Sequence, residues 1–184
     1  MEPGVNQKAR LTLITGPVRS GKTRLALELA LRFPKPRLYL ATAQARDAEM
    51  SERIARHQSE RGSVFQTLEE PLAISSLLKE IPRRFSVVVV DCLTLWLSNL
   101  FGAAGEEGQG VPEKLAELTV VLNDLETPVI LVGNEVGWGI VPENALARNF
   151  RDQSGRLHQE IARIADQVIL MVAGIPLIVK GSKV

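Results

Sequence analysis

Residues 16–23 read Gly-Pro-Val-Arg-Ser-Gly-Lys-Thr, a glycine-bounded turn with a lysine and a hydroxyl at its exit. The spacing Gly16-x-x-x-x-Gly21-Lys22-Thr23 suits a chain of phosphates. Inward backbone N–H groups hold the phosphate oxygens, Lys22 places a point charge near the β- and γ-phosphates, and Thr23 offers its hydroxyl to Mg²⁺. Gly16 and Gly21 are expected to be glycine because a Cβ would block the turn or the phosphate. Asp91 closes the apolar run 87–90 and would give the metal a second oxygen ligand; the competing reading makes it a cap for the following helix. Glu135, after residues 129–133, either orients a hydroxyl nucleophile or braces its loop.

The chain has two histidines, His57 and His158. On a helix, Met50, Ile54 and His57 share a face, so His57 reads either as a core-edge histidine or as a reactive one. Arg53 and Arg61 lie four residues to either side of it on that face. Two guanidinium groups disfavour the imidazolium and attract phosphate, and a neutral imidazole in a cationic cradle is what attack on phosphorus requires. His158, among Arg148, Arg151 and Arg156, is expected on a solvated helix surface. Arg148 and Arg151 either clamp phosphate or pair with Glu143 and Asp152.

Alternating strand-like and helical runs predict the elements that carry these groups. Strands are expected at 10–15, 37–41, 64–67, 85–90, 128–132, 167–172 and 177–180. Helices are expected at 21–33, 47–61, 71–81, 94–101, 113–125 and 142–165, the last with an apolar stripe at Leu146, Phe150, Leu157, Ile161 and Ile164. Residues 102–110 and 133–142 read as loops. This alternation argues for a mostly parallel sheet with helices on both faces and a C-terminal edge hairpin near residues 174–176. Ligands in such sheets bind beyond the carboxyl ends of the strands. Those ends carry residues 16–23, Thr42-Ala43-Gln44, Asp91 and Asn134-Glu135.

Composition narrows the function classes. The chain has 184 residues, 45% hydrophobic and 23% charged, with a net charge of +1. That is enough for one domain over 1–184, residues 1–8 being expected as a flexible tail. The near-neutral charge and scarce aromatics argue against nucleic acid. No apolar run reaches membrane-spanning length, and 1–8 is too polar for a signal sequence. The lone Cys92 fits a reducing cytoplasm and reads as a small core residue.

Taken together, these residues identify a family by resemblance. The chain resembles the bifunctional adenosylcobinamide kinase / adenosylcobinamide-phosphate guanylyltransferases of cobalamin assembly, which have a P-loop NTPase-type, RecA-like α/β fold. The resemblance rests on 15–23, 39–44, Glu49-Met50 with Arg53-Ile54 and His57, 67–71, 91–94, 134–144, Phe150-Arg151-Asp152 with Gly155-Arg156, and 173–177. It implies that a hydroxyl of adenosylcobinamide takes the γ-phosphoryl group of ATP or GTP. GTP then gives GMP to a histidine, and adenosylcobinamide phosphate attacks that adduct. The guanylylated histidine falls on His57 and the phosphate lysine on Lys22. Nucleotide contacts fall on Gly16, Pro17, Val18, Arg19, Ser20, Gly21, Lys22, Thr23, Thr42, Ala43, Gln44, Gln58, Ser59, Glu60, Arg61, Glu69 and Asp91, and the Mg²⁺ ligands on Thr23 and Asp91. A homo-oligomer, a ring-like trimer, is also implied. Pro17 stands where the family usually has glycine and removes one N–H, and His158 replaces a common asparagine. Two other readings of the phosphate loop are a monofunctional small-molecule kinase and a nucleotide-gated switch.

Overall fold

The computed structural model describes residues 9–45, 48, 52, 62–81, 84–105 and 108–181. The expected tail 1–8 lies outside them, as does the expected helix 47–61 apart from Ala48 and Glu52. His57, Gln58, Ser59, Glu60 and Arg61 therefore fall outside the described residues.

In chain order the elements are β1 Leu11–Thr15, α1 Lys22–Ala30, β2 Arg37–Ala41, a 3₁₀ turn Gly62–Val64, β3 Gln66–Glu69, α2 Ile74–Glu80 and β4 Val87–Asp91. They continue with α3 Leu93–Ala104, α4 Val111–Asp124, β5 Val129–Val132, α5 Ala145–Ile164, β6 Gln167–Val172 and β7 Ile175–Lys180. Among the described residues the strands form one sheet in the order β3-β2-β4-β5-β1-β6-β7. Every neighbouring pair is parallel except β6–β7. This is the expected architecture, edge hairpin included.

Strand periodicity sorts the core into two layers. Leu11, Leu13, Val88 and Val90 point to a cluster built with α2, α3, α4 and α5. Ile14, Val87, Val89, Ile130 and Val132 point to the other face, against Ala26, Leu29 and Ala30 of α1. Each such buried aliphatic side chain contributes about 1.5–3 kcal/mol of burial, so slipping β4 by one residue would exchange both faces at once. Trp96, fully buried, donates its indole N–H to Leu72 O at 2.9 Å and ties α3 to the chain before α2. No helix of the described residues is long and apolar enough to cross a membrane.

Several boundaries differ from the pattern-based ones. β3 starts at Gln66 because the 3₁₀ turn takes residues 62–64. α2 starts at Ile74 because Glu70 Oε1 accepts the N–H groups of Leu72 and Ala73 in a turn. α3 runs through Gly102 to Ala104, shortening the expected loop. α5 begins after Asn144, whose side chain accepts from Ala147 N at 3.0 Å, an N-cap. The hairpin turns at Ala173 and Gly174, both with positive φ, as a two-residue turn requires, so β7 begins at Ile175. Leu146, expected in the buried stripe of α5, is exposed, while Leu157 and Ile161 are buried.

Candidate functional site

Strand register aligns the carboxyl ends of the sheet. Glu69 pairs with Ala41, Ala41 with Asp91 and Asp91 with Val132. β1 lies against β5 and leads into the loop 16–21. The loop, Thr42-Ala43-Gln44, Asp91 and Glu135 thus all stand at or just beyond the carboxyl ends of strands. Glu69 stands on the outermost strand, exposed and farthest from the loop.

The loop closes around its own lysine. Lys22, only 6% exposed, donates from Nζ to Gly16 O (3.0 Å), Pro17 O (2.6 Å) and Ser20 Oγ (3.3 Å). Its ammonium therefore sits at the start of the loop, at the N-terminus of α1, where helix dipole and backbone N–H groups favour an anion. Gly21 enters α1 with φ 91°, a left-handed turn for which glycine is suited. Gly16 is glycine for a reason beyond the expected one. With φ 145°, its Cβ would lie 2.4 Å from Met171 O on β6, so the neighbouring strand excludes a side chain. Pro17 removes one N–H and still supplies a carbonyl to Lys22.

Asp91 Oδ2 accepts from Thr23 Oγ1 at 2.7 Å and from Tyr39 Oη at 2.7 Å. Tyr39 was not singled out from the sequence; its place on β2, one strand over, is the signal. The capping role goes to Cys92, whose Sγ accepts from Leu95 N at 3.4 Å at the start of α3. Asp91 is thereby left to face Thr23, and Cys92 is more than a core filler. Burial, with the Asp91 carboxylate adding to it, pushes the thiol up to about 12. Thr42 is fully buried. Its hydroxyl donates to Cys92 O and accepts from Cys92 N, both at 2.8 Å, while Asn99 Nδ2 donates to Thr42 O at 2.8 Å. The Thr42 side chain therefore locks the ends of β2 and β4 together, leaving Ala43 and Gln44 as the more open groups of that segment.

On the other side of the loop, Glu135 N donates to Gly16 O at 3.0 Å. Glu135 Oε1 accepts a short hydrogen bond from Thr15 Oγ1 and lies 3.3 Å from His158 Nδ1. His158 beside it, helped by Thr15 and Lys22, holds the Glu135 carboxyl below the ordinary glutamate value, against partial burial that pushes it up. His158 is 8% exposed, so the expected solvated position is corrected. α5 turns this residue inward, and a Cβ on Gly133 would fall 2.4 Å from its Nε2. A glycine one residue past β5 is what lets the ring fit. Arg148 donates from Nη1 to Pro142 O (3.0 Å) and Glu143 O (2.5 Å), closing the loop before α5, and Arg151 Nε lies 3.9 Å from Asp152. Within that loop Trp138, Ile140 and Val141 are exposed.

A strand-loop-helix phosphate cradle flanked by two carboxylates on adjacent strands suits transfer of a phosphoryl or nucleotidyl group. The family profile of Cobinamide kinase / cobinamide phosphate guanyltransferase, CobU, matches residues 12–179. The chain belongs to this family. It is 43% identical, over 92% of its own length and 96% of the relative's, to the bifunctional adenosylcobalamin biosynthesis protein CobP of Pseudomonas aeruginosa. To the bifunctional adenosylcobalamin biosynthesis protein CobU of Salmonella typhimurium it is 36% identical, over 92% of this chain and 99% of that one. Among solved structures, a type III secretion system ATPase superposes with a TM-score of 0.53 at 14% identity, covering 89% of this chain and 51% of that one. That likeness concerns the fold alone, a mostly parallel sheet with helices on both faces. Within the CobU-family frame, residues 16–23, 42–44 and 91 stand at the carboxyl ends of β1, β2 and β4, and Glu69 follows on the edge strand β3 beside β2.

Proposed function

We propose that this protein phosphorylates the hydroxyl of the aminopropanol arm of adenosylcobinamide with ATP or GTP, and then converts the product to adenosylcobinamide-GDP through guanylylated His57. The observation that carries the proposal is the meeting of Thr23 Oγ1 and Asp91 Oδ2 at 2.7 Å beside the Lys22 loop, in a chain of this family. In the first step the substrate oxygen forms a bond to the γ-phosphorus, the bond to the β,γ-bridging oxygen breaks, and a nucleoside diphosphate leaves. In the second, a ring nitrogen of His57 attacks the α-phosphorus of GTP and pyrophosphate leaves. The corrinoid phosphate then attacks the same phosphorus and the P–N bond breaks, regenerating the imidazole. A covalent phosphoramidate divides an exchange between two bulky anions into two displacements.

Within this reading, residues 16–23 bind phosphates, with Lys22 as the cation nearest the transferred group. Ala43, Gln44, Gln58, Ser59, Glu60, Arg61 and Glu69 complete the nucleotide contacts, and Thr42, whose N–H donates to Asp91 O and whose carbonyl accepts from Asn99, holds that segment in place. A hydroxyl and a carboxylate are oxygen donors that fit a hard cation, so Thr23 and Asp91 would hold Mg²⁺. Among the described residues no group of three or more His, Cys, Asp or Glu could hold a metal, in keeping with an ion that takes its other ligands from phosphates and water. Bound there, Mg²⁺ would neutralise charge on the phosphates. One domain serves both reactions. Association into a trimer is supported by the exposed apolar residues Ile175, Leu177 and Val179 along β7, and a cytoplasmic location by the single buried cysteine.

Incubation with α-labelled GTP tests the reading. Acid-labile, alkali-stable label that disappears in His57→Ala is the expected result. Unlabelled protein that still phosphorylates adenosylcobinamide leaves the kinase half alone. If neither phosphate ester nor GDP ester forms, the nucleotide-gated switch is the better description.

A further inference from the structure

Phosphoryl transfer to a hydroxyl requires a group that orients the nucleophile and receives its proton. Of the carboxylates at the strand ends, Asp91 Oδ2 already accepts from Thr23 and Tyr39, and Glu69 lies on the outermost strand. Glu135 is placed differently. Its N–H and the Lys22 ammonium both donate to Gly16 O, each at 3.0 Å. The carboxylate and the phosphate-binding lysine are thereby referenced to one backbone atom of the loop.

The two oxygens of Glu135 are not equivalent. Oε1 accepts from Thr15 Oγ1 and faces His158 Nδ1. Oε2 takes no hydrogen bond among the described residues, and the side chain remains 20% exposed. One oxygen is anchored and the other has no hydrogen-bond partner among the described residues, on a side chain that still reaches solvent. His158 is itself held: its ring is buried against Gly133, and Nε2 has no hydrogen-bond partner among the described residues. A buried ring with one nitrogen unpartnered has its single polar contact at Nδ1, so its orientation is committed to Glu135. The neighbouring His158, Thr15 and Lys22 favour the ionised carboxylate, the form able to accept a proton.

We propose that Glu135 is the catalytic carboxylate of the phosphoryl-transfer step, receiving the substrate hydroxyl on Oε2, and that His158 is its positioning residue; this rests on the kinase reading above. As the substrate oxygen bonds to the γ-phosphorus and the nucleoside diphosphate departs, the hydroxyl proton passes to Oε2 and then to water. Guanylyl transfer starts from an imidazole and a phosphate, which bring no hydroxyl proton, so this step makes no demand on Glu135.

The test compares the half-reactions in the full-length protein. For Glu135→Gln, kcat for phosphorylation of adenosylcobinamide by ATP falls about 10²–10⁴-fold, while KM for ATP changes less than about threefold. Covalent labelling from α-labelled GTP still forms, which also reports that the variant is folded. His158→Ala lowers the same kcat roughly 10–100-fold, as loss of a supporting partner does, and His158→Asn, which keeps an N–H donor, restores most of it. Should Glu135→Gln fail to fold, Glu135→Asp, with its carboxylate drawn back by one methylene, must show the same kcat loss. Wild-type kcat in the Glu135 variants overturns the proposal, as does equal loss of both half-reactions in folded protein. Wild-type protein that phosphorylates nothing overturns the kinase reading instead.

Discussion

Thr23 and Asp91 stand 68 positions apart in the chain, yet the threonine hydroxyl donates to the carboxylate at 2.7 Å. Two elements make this meeting. α1 begins at Lys22 immediately after the loop, and β4 ends at Asp91 two strands from β1. The pair should therefore behave as a unit in any metal-dependent step. Asp91→Asn is expected to lower phosphorylation about 10²–10³-fold and to remove the gain in nucleotide affinity that Mg²⁺ provides. Calorimetric titration of ATP with and without Mg²⁺ measures this; an unchanged Mg²⁺ effect in the variant would remove the pair from metal binding.

Gly16 and Gly155 make opposite predictions for the same substitution. Gly16→Ala puts a Cβ 2.4 Å from Met171 O at positive φ, so it should cost about 2–4 kcal/mol in urea unfolding. Gly155 lies in the exposed middle of α5 with nothing within 4 Å of a built Cβ. Gly155→Ala should stabilise by about 0.5–1 kcal/mol through helix propensity. A Gly16→Ala protein as stable as wild type would contradict the packing of the loop against β6.

Cys92 should be inert in the native state. Its thiol is buried and pushed up to about 12, and thiolate is the reactive form. A disulfide reagent at pH 8 should modify native protein slowly and unfolded protein at once, reaching one equivalent because the chain has a single cysteine. Rapid native reaction would show that the β4–α3 junction opens readily.

Glu135 links stability to pH. Its folded pKa lies below the ordinary value, chiefly through His158, so the ionised carboxylate binds protons less readily folded than unfolded. The resulting stability is complete above the unfolded glutamate pKa and is lost as pH falls through the depressed folded one. Thermal melts of wild type and Glu135→Gln over that acid window should show a shallower pH slope in the variant. Parallel slopes would mean that the carboxylate titrates alike in both states.

Much of this was legible because it is local. The run 11–23 carries strand alternation, a glycine turn and a helix start in unbroken succession, so the phosphate loop needs no knowledge of the rest of the chain. Val87–Val90 with Asp91 reads as a buried strand with an acid at its carboxyl end for the same reason. The surroundings of His158 were not legible. On α5 it lies beside Leu157 and Ile161 of the apolar stripe but also beside the polar Arg156, Gln159 and Glu160, and only Gly133 on another element reveals the space its ring occupies. Capping by Cys92 was hidden likewise, since Asp91 is the better N-cap by type and the chain direction at the end of β4 gives the place to its neighbour.

By itself, then, the sequence determined the strand-loop-helix cradle, the alternation that sorts two core layers, and membership in a family whose motifs run the length of the chain. Contacts across the sheet were decided only in three dimensions: Thr23 with Asp91, Glu135 with Thr15 and His158, Gly16 against Met171. Periodicity encodes which way a side chain faces within its own element. Which residues from distant segments come within hydrogen-bond reach depends on strand order and register, set by packing all the elements at once.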